Sequence, residues 1–282
     1  MTPPLELYKY LSLDRAQQVL GSLQIRFSQV SVLNDVDEFQ PPYRGMGTRE
    51  VIEEKTKQRF EETHPADIQR LYSVLPKDKA DELLAEMVSE WADTIEANFE
   101  KNVQGLYAKL DENFGLLSLS ANPTNALMWA FYSDGGRGIA IEFDSQHPWF
   151  DARRDSTDSF RHLRPVHYLA DRNPDYFFTA TDDDVLYTKL EAWQFESEWR
   201  IIRNFNDAAV KVGPDLYGKD VLLFDIPADT IKAILVGYRT SEAQEIALRN
   251  LIGNNTRLKH VFFKRIVRES NGHLQVQVLP II

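Results

Sequence analysis

Apolar positions in the last third of the chain fall in short runs and alternating stretches, which are typical of strands packed with a few helices. A helix is expected where Ser241 precedes an apolar repeat, because Ser241 and Gln244 have the spacing of a capping box. Asn271-Gly272 is a favoured hairpin turn. The predicted elements are strands at 221–226, 231–236, 261–267 and 274–279 and a helix at 241–251.

The first part of the chain and the segment after Gly115 show the same kind of pattern. Asp14 is the predicted N-cap of the first helix, and the strand at 138–144 alternates as if half-buried. Asp134-Gly135-Gly136-Arg137-Gly138 is interpreted as a hairpin turn. A short strand or turn is predicted at 5–10, and strands are predicted at 24–28, 116–120, 138–144, 164–169 and 198–203. The predicted helices are 14–20, a helical turn within 122–133, and 182–190.

Between these regions the sequence is rich in charges and in helix formers. Apolar residues recur at steps of three and four from Leu84 to Leu110, which predicts one long amphipathic helix. An earlier helix is expected at 48–63, with Lys77-Asp78-Lys79 in the connection. We therefore predict an α+β fold with a mixed, mostly antiparallel sheet, arranged as a single domain over 1–282 with a helical insertion at about 48–113.

The segment from Trp193 to Arg200 places Glu196 and Glu198 two residues apart between tryptophans. If it is extended, both carboxylates point to one face. Two like charges at such a short separation must be ion-paired, solvated or used chemically. One interpretation is a surface ion pair with Lys189, Arg200 or Arg203, and the other is the wall of a ligand cleft.

Composition limits the function classes. A chain of 282 residues with 43% hydrophobic residues can build a large core, and its net charge of −11 argues against duplex DNA as a partner. The absence of cysteine excludes disulfides and thiolate chemistry. With no secretory leader pattern and no apolar run long enough to span a bilayer, we expect a cytoplasmic protein that does not enter a membrane. A small-molecule or nucleotide ligand is the expected partner.

Common catalytic motifs are missing from the sequence. No Walker A, GxGxxG, HExxH or GxSxG pattern occurs. The six histidines show no pair at ligand spacing, so no metal cofactor is predicted.

Six ordered motifs carry a resemblance to a known family. The motifs are Tyr8-Lys9-Tyr10, Asn34-Asp35-x-x-Glu38-Phe39, Leu117-Ser118-Leu119-Ser120, Met128-Trp129-Ala130-x-Tyr132, the stretch from Gly138 to Asp144, and Lys189-x-x-x-Trp193-x-x-Glu196-x-Glu198-Trp199-Arg200. With these motifs the chain resembles, over most of residues 7–240, the bacterial family catalogued as domain of unknown function 2971, for which no activity is implied.

A second resemblance is chemical. ADP-ribosyltransferases carry, in order, a basic residue on an early strand, a Ser-x-Ser strand and a Glu-x-Glu or Gln-x-Glu pair, and this chain is similar to them in that order. The resemblance implies NAD as substrate, with Glu198 stabilising the ribosyl cation and Glu196 acting on an acceptor. It implies further NAD-binding residues: Lys9 or Arg26 at the pyrophosphate, and Ser118 and Ser120 beside the nicotinamide.

Tyr132, three residues after Trp129, is the last candidate ligand-binding residue. Its ring either stacks on a ligand or packs in the core. Two other function classes stay open. One is a non-catalytic ligand-binding or interaction module. The other is a Mg²⁺-dependent hydrolase or nuclease that uses Asp35, Glu38, Glu142 and Glu198.

Overall fold

The computed structural model forms two compact units. The sheet unit comprises Met1–Val36, Asp111–Ala170 and Tyr187–Ile282, and the helical unit comprises Asp37–Leu110 and Asp171–Leu186. The predicted fold class, α+β with a mixed and mostly antiparallel sheet, is confirmed. The arrangement as a single domain with an insertion stays a prediction. The structure describes residues 2–35, 43–171, 176–181 and 185–279.

Strands dominate the sheet unit. They are β1 (Glu6–Leu11), β2 (Gln24–Arg26), β3 (Phe114–Ser120), β4 (Ile139–Asp144), β5 (Arg164–Pro165), β6 (His167–Leu169), β7 (Thr188–Leu190), β8 (Glu198–Asn204), β9 (Val210–Pro214), β10 (Asp220–Asp225), β11 (Ile231–Val236), β12 (Phe262–Arg268) and β13 (Leu274–Val278). The α-helices of the described chain are α1 (Leu13–Ser22), α2 (Arg49–Thr63), α3 (Pro65–Val74), α4 (Lys77–Ala97), α5 (Phe99–Asn113), α6 (Ala126–Tyr132) and α7 (Glu242–Asn254).

The main sheet has the strand order β13-β12-β11-β4-β1-β3-β8-β5. Among its described strands only β11 and β12 pair in parallel, and α7 provides the crossover between them. A second sheet has the order β2-β10-β9, and β6 and β7 form a parallel pair. This order makes β1, β3 and β8 neighbours although 186 residues lie between the end of β1 and the start of β8.

Both faces of the main sheet are covered. Leu7, Ile141 and Leu119 point into the larger core, which also includes apolar residues of α1 and α7. Tyr8 and Trp129 belong to a smaller core on the other face, beside α6. The expectation that 138–144 is half-buried was therefore wrong, because β4 lies in the middle of the sheet and is buried on both sides.

The glycine-rich segment after α6 is a turn, as predicted, but it joins a helix to β4 instead of two strands. Gly135 and Gly136 have φ values of 61° and 83°, which glycine adopts without strain. A Cβ at Gly138 would lie 2.1 Å from the carbonyl oxygen of Leu11, so the close approach of β1 and β4 requires glycine there.

The helical unit contains the predicted amphipathic helix as α4, but the apolar repeat does not continue as one helix. The chain leaves helical geometry at Asn98, whose side chain donates to the carbonyl of Thr94 at 2.8 Å, and α5 begins at the next residue. Lys77–Lys79 is the first turn of α4 and not a connection. The predicted helix at 48–63 is confirmed as α2, and α3 was not anticipated.

Three local predictions need correction. Ser12, not Asp14, caps α1, because its hydroxyl accepts the backbone N–H of Arg15 while Asp14 lies in the first turn. The strand predicted at 164–169 is two short strands, β5 and β6, that pair with different partners. The helix predicted at 182–190 ends before Thr188, where β7 begins, and its residues 182–184 lie outside the described chain.

Candidate functional site

A split between two neighbouring strands opens the main sheet where the candidate residues lie. β1 pairs with β4 over six positions, but with β3 only where Tyr8 lies opposite Ser120. Further along β3, Leu116 pairs with Ser28 instead. Between these two points the ammonium of Lys9 donates to the carbonyl oxygen of Ser118 at 3.0 Å. A partly buried cation therefore bridges the place where the strands part.

The acidic pair enters this region through a sharp turn. Residues Glu191–Glu196 form a 3₁₀-helix, Ser197 has a left-handed φ of 45°, and β8 starts at Glu198. The segment is thus not extended at Glu196, so the prediction that both carboxylates lie on one face of a strand does not apply. The two carboxylates nevertheless converge, because both lie against the ammonium of Lys189, at 2.6 Å from Glu196 and 2.9 Å from Glu198.

Glu198 has a second cationic partner. Nε of Arg200 lies 2.7 Å from one carboxylate oxygen of Glu198, and an Nη lies 3.0 Å from the other. The exposed fractions of Lys189, Glu196, Glu198 and Arg200 are 3%, 5%, 4% and 0%. The predicted ion pairing with Lys189 and Arg200 is therefore present, but it is buried and not on a solvated surface.

Tyrosine and serine hydroxyls complete the surroundings of the two carboxylates. Tyr132 donates its hydroxyl to Glu196 and accepts the side-chain amide of Asn34 at 2.7 Å. Ser118 hydrogen-bonds the carboxylate of Glu198. Tyr168 accepts the backbone N–H of Glu198 at 2.8 Å. Each of the four carboxylate oxygens of the acidic pair thus faces at least one donor, as buried carboxylates require.

The charges in this corner shift the pKa values in opposite directions. Burial, partly offset by Glu198 and Glu196, lowers the pKa of Lys9 to about 8. Burial would also lower the pKa of Lys189, but its two carboxylate contacts outweigh burial and raise it. Burial raises the pKa of Glu198 against the opposing effects of Lys189 and Ser118. Of the two lysines in this corner, Lys9 is therefore the easier to deprotonate.

The other predicted ligand-binding residues divide between two places. Ser120 lies in the same corner, but its hydroxyl donates to the carbonyl of Glu196 at 2.6 Å and so holds the backbone. Arg26 lies on β2, where it binds Asp215 at 2.8 Å and Gln29 at 3.2 Å. Of the two cations offered by the sequence, Lys9 is the one that accompanies Ser118 and Glu198.

The carboxylates considered for a magnesium site do not form one group. Glu142 binds the ammonium of Lys264 at 2.6 and 2.9 Å, whereas Asp35 acts electrostatically on Arg200. Glu38 lies outside the described residues. Within the described part of the chain, no three His, Cys, Asp or Glu side chains are placed to hold a metal ion.

Sequence reasoning named most of the cluster but missed Tyr168. Its strand was predicted, yet nothing in the pattern signals that β6 lies against the start of β8. Asn34 was considered only as part of an acidic turn, and its contact with Tyr132 joins positions 98 residues apart. Contacts of this kind depend on the order of strands in space, which a local pattern does not contain.

One comparison with known proteins gives a match. Residues 128–201 match the family model described as "Protein of unknown function (DUF2971)". The matched stretch includes Tyr132, Lys189, Glu196, Glu198 and Arg200, so it covers the acidic part of the site. No curated protein and no solved structure matches the chain. Among the described residues, no helix is both long and apolar enough to cross a membrane. The resemblance inferred from the motifs is thereby confirmed over residues 128–201, where the chain is similar to the DUF2971 family.

Proposed function

We propose that this chain binds NAD at the corner formed by β1, β3 and β8 and cleaves its nicotinamide–ribose bond. One observation carries the proposal. Lys9, Ser118 and Glu198, which follow the transferase order of cation, serine and glutamate, come from three adjacent strands and meet at the split between β1 and β3.

The chemistry assigns one task to each residue. The C–N bond breaks, and nicotinamide leaves as a neutral molecule with the bonding electron pair, while positive charge develops on the ribose. Glu198 stabilises that charge, held in place by Arg200 and Lys189. A water or an acceptor group then forms the new bond at the same ribose carbon, and its proton passes to a base such as Glu196. Lys9 binds the pyrophosphate.

Nicotinamide release from NAD tests this proposal. We expect the wild-type chain to release nicotinamide. In Glu198→Gln the rate of release should fall at least about 100-fold, because the substitution removes the negative charge that stabilises the ribosyl cation. Glu142→Gln is the matched control, because Glu142 is equally buried and also binds an ammonium, but outside this corner. Circular dichroism on each variant verifies that it is folded. Equal loss in both variants, or no release by the wild type, contradicts the proposal.

A second candidate is a non-catalytic ligand-binding module. It is favoured by the state of Glu198, which is only 4% exposed and already bound by two cations. In that case Lys9 and Tyr132, both partly exposed, provide ligand contacts around a purely structural ion cluster. NAD binding in calorimetry without nicotinamide release would favour this candidate over the enzyme.

A further inference from the structure

A cavity of about 760 Å³ lies within the helical unit, apart from the corner described above. Its apolar wall is built from Phe60 on α2, Trp91 and Ile95 on α4, and Phe178. Phe60 and Trp91 meet edge to face with ring centroids 5.6 Å apart, yet Trp91 stays 54% exposed. The volume falls within the usual range for small-molecule sites, about 300–1,000 Å³.

The rim of this cavity is basic, in contrast to its surroundings. Lys55 and Arg59 lie four residues apart on α2, so both reach the same side of the helix, next to Phe60. Glu62 also lies on the rim, where it accepts the amide of Gln58 at 2.9 Å. The mouth thus carries two exposed cations and one carboxylate, in a chain with a net charge of −11.

These cations are not used to stabilise the helical unit. Arg49 in the same helix binds Glu53 at 2.6 Å, and Lys79 on α4 binds Glu82. Lys55 and Arg59, by contrast, form no salt bridge with any residue of the described chain, although the unit is rich in carboxylates. An aromatic wall beneath two available cations is complementary to a molecule with an apolar body and an anionic group.

We propose that this cavity binds an amphipathic organic anion, that is, an apolar ring system or chain carrying one carboxylate, sulfonate or phosphate group. The apolar body lies against Phe60, Trp91 and Phe178, and the anionic group lies between Lys55 and Arg59. The site is independent of the proposed NAD chemistry and does not require it.

Two fluorescent probes with the same rings and different charge test the proposal. 8-Anilinonaphthalene-1-sulfonate carries the anionic group, and N-phenyl-1-naphthylamine lacks it. We expect saturable binding of the sulfonate to the full chain, with a lower Kd than the neutral amine. In the double variant Lys55→Gln/Arg59→Gln, the Kd of the sulfonate should rise about tenfold while that of the amine stays the same.

Two further variants locate the probe. Lys57→Gln removes an exposed cation of α2 that does not line the cavity, and it should leave both Kd values unchanged. Trp91→Leu should weaken both probes, because it removes part of the shared apolar wall. Unchanged sulfonate binding in the double variant or in Trp91→Leu, equal Kd values for the two probes in the wild type, or no saturable binding overturns the proposal.

Discussion

At the level of single residues, the ammonium of Lys189 allows two carboxylates to be buried side by side, because it pairs with both of them. An ion pair out of water is weakly stabilising at best, but loss of one partner leaves an uncompensated buried charge. Here one ammonium, 3% exposed, serves both Glu196 and Glu198. Arg200 balances only the second of them.

Replacement of Lys189 by methionine should therefore destabilise the protein strongly. We expect Lys189→Met to lower the free energy of unfolding by about 3–5 kcal/mol, measured by urea denaturation. Lys79→Met is the control, since the pair of Lys79 with Glu82 is exposed and should contribute at most about 1 kcal/mol. Similar values for the two variants would show that the cluster does not carry buried charge.

The pKa of Lys9 predicts a pH dependence with a definite sign. Its value of about 8 in the folded chain lies below the ordinary value of 10.5. Between these two pH values the unfolded chain binds more protons at Lys9, so this residue makes the free energy of unfolding rise with pH. We subtract the free energy of unfolding of Lys9→Met from that of the wild type. This difference should increase between about pH 7 and about pH 9.5.

Urea denaturation at both pH values measures this difference. The subtraction cancels groups that are common to the two proteins, such as the buried tyrosines, whose pKa values burial raises. A difference that stays constant, or that shifts towards Lys9→Met, would mean that the ammonium is not held in a desolvating environment.

At the level of elements, the turn at Ser197 creates the convergence of the acidic pair. In a continuous strand, the side chains of Glu196 and Glu198 would point to the same face and stay two residues apart along it. The 3₁₀-helix that ends at Glu196 and the left-handed Ser197 redirect the chain, so that both side chains reach Lys189. The turn is fixed by its backbone, because the carbonyl of Ser197 accepts the N–H of Ala121 at 2.9 Å.

Substitutions at Ser197 should follow backbone preference. A side chain in the left-handed region costs roughly 1–2 kcal/mol, and a β-branched one costs more. We expect Ser197→Gly to stay within about 1 kcal/mol of the wild type, whereas Ser197→Val loses about 2 kcal/mol or more. Thermal unfolding compares the three proteins, and a Val variant as stable as the Gly variant would contradict the role given to this turn.

Elements that depend on local chemistry were predicted well from the sequence. The capping box at Ser241 and the hairpin at Asn271-Gly272 both lie where neighbouring residues specify them. The break at Asn98 and the turn at Ser197 were missed, because neither residue belongs to a strong breaker class. The order β1-β3-β8 could not be predicted, since it depends on pairing between segments far apart in the chain.

For the whole molecule, the proposed NAD site depends on that strand order. The sequence offered two candidate cations, and only the folded sheet distinguishes them: Lys9 bridges the split next to Ser118, whereas Arg26 pairs with Asp215 on the second sheet. A net charge of −11 is also compatible with the proposed anionic ligand, since the corner holds Lys9 in addition to the two cations, Lys189 and Arg200, that balance Glu196 and Glu198.

The most direct test of the proposed NAD site is calorimetric titration of NAD into the folded chain and into Lys9→Met, with Lys211→Met as the control for an exposed lysine paired with Asp220. We expect measurable binding by the wild type, a Kd about tenfold higher for Lys9→Met, and no change for Lys211→Met. If the wild type gives no binding heat at any temperature tested, or if Lys9→Met binds NAD as tightly as the wild type, then the corner of β1, β3 and β8 is not an NAD site.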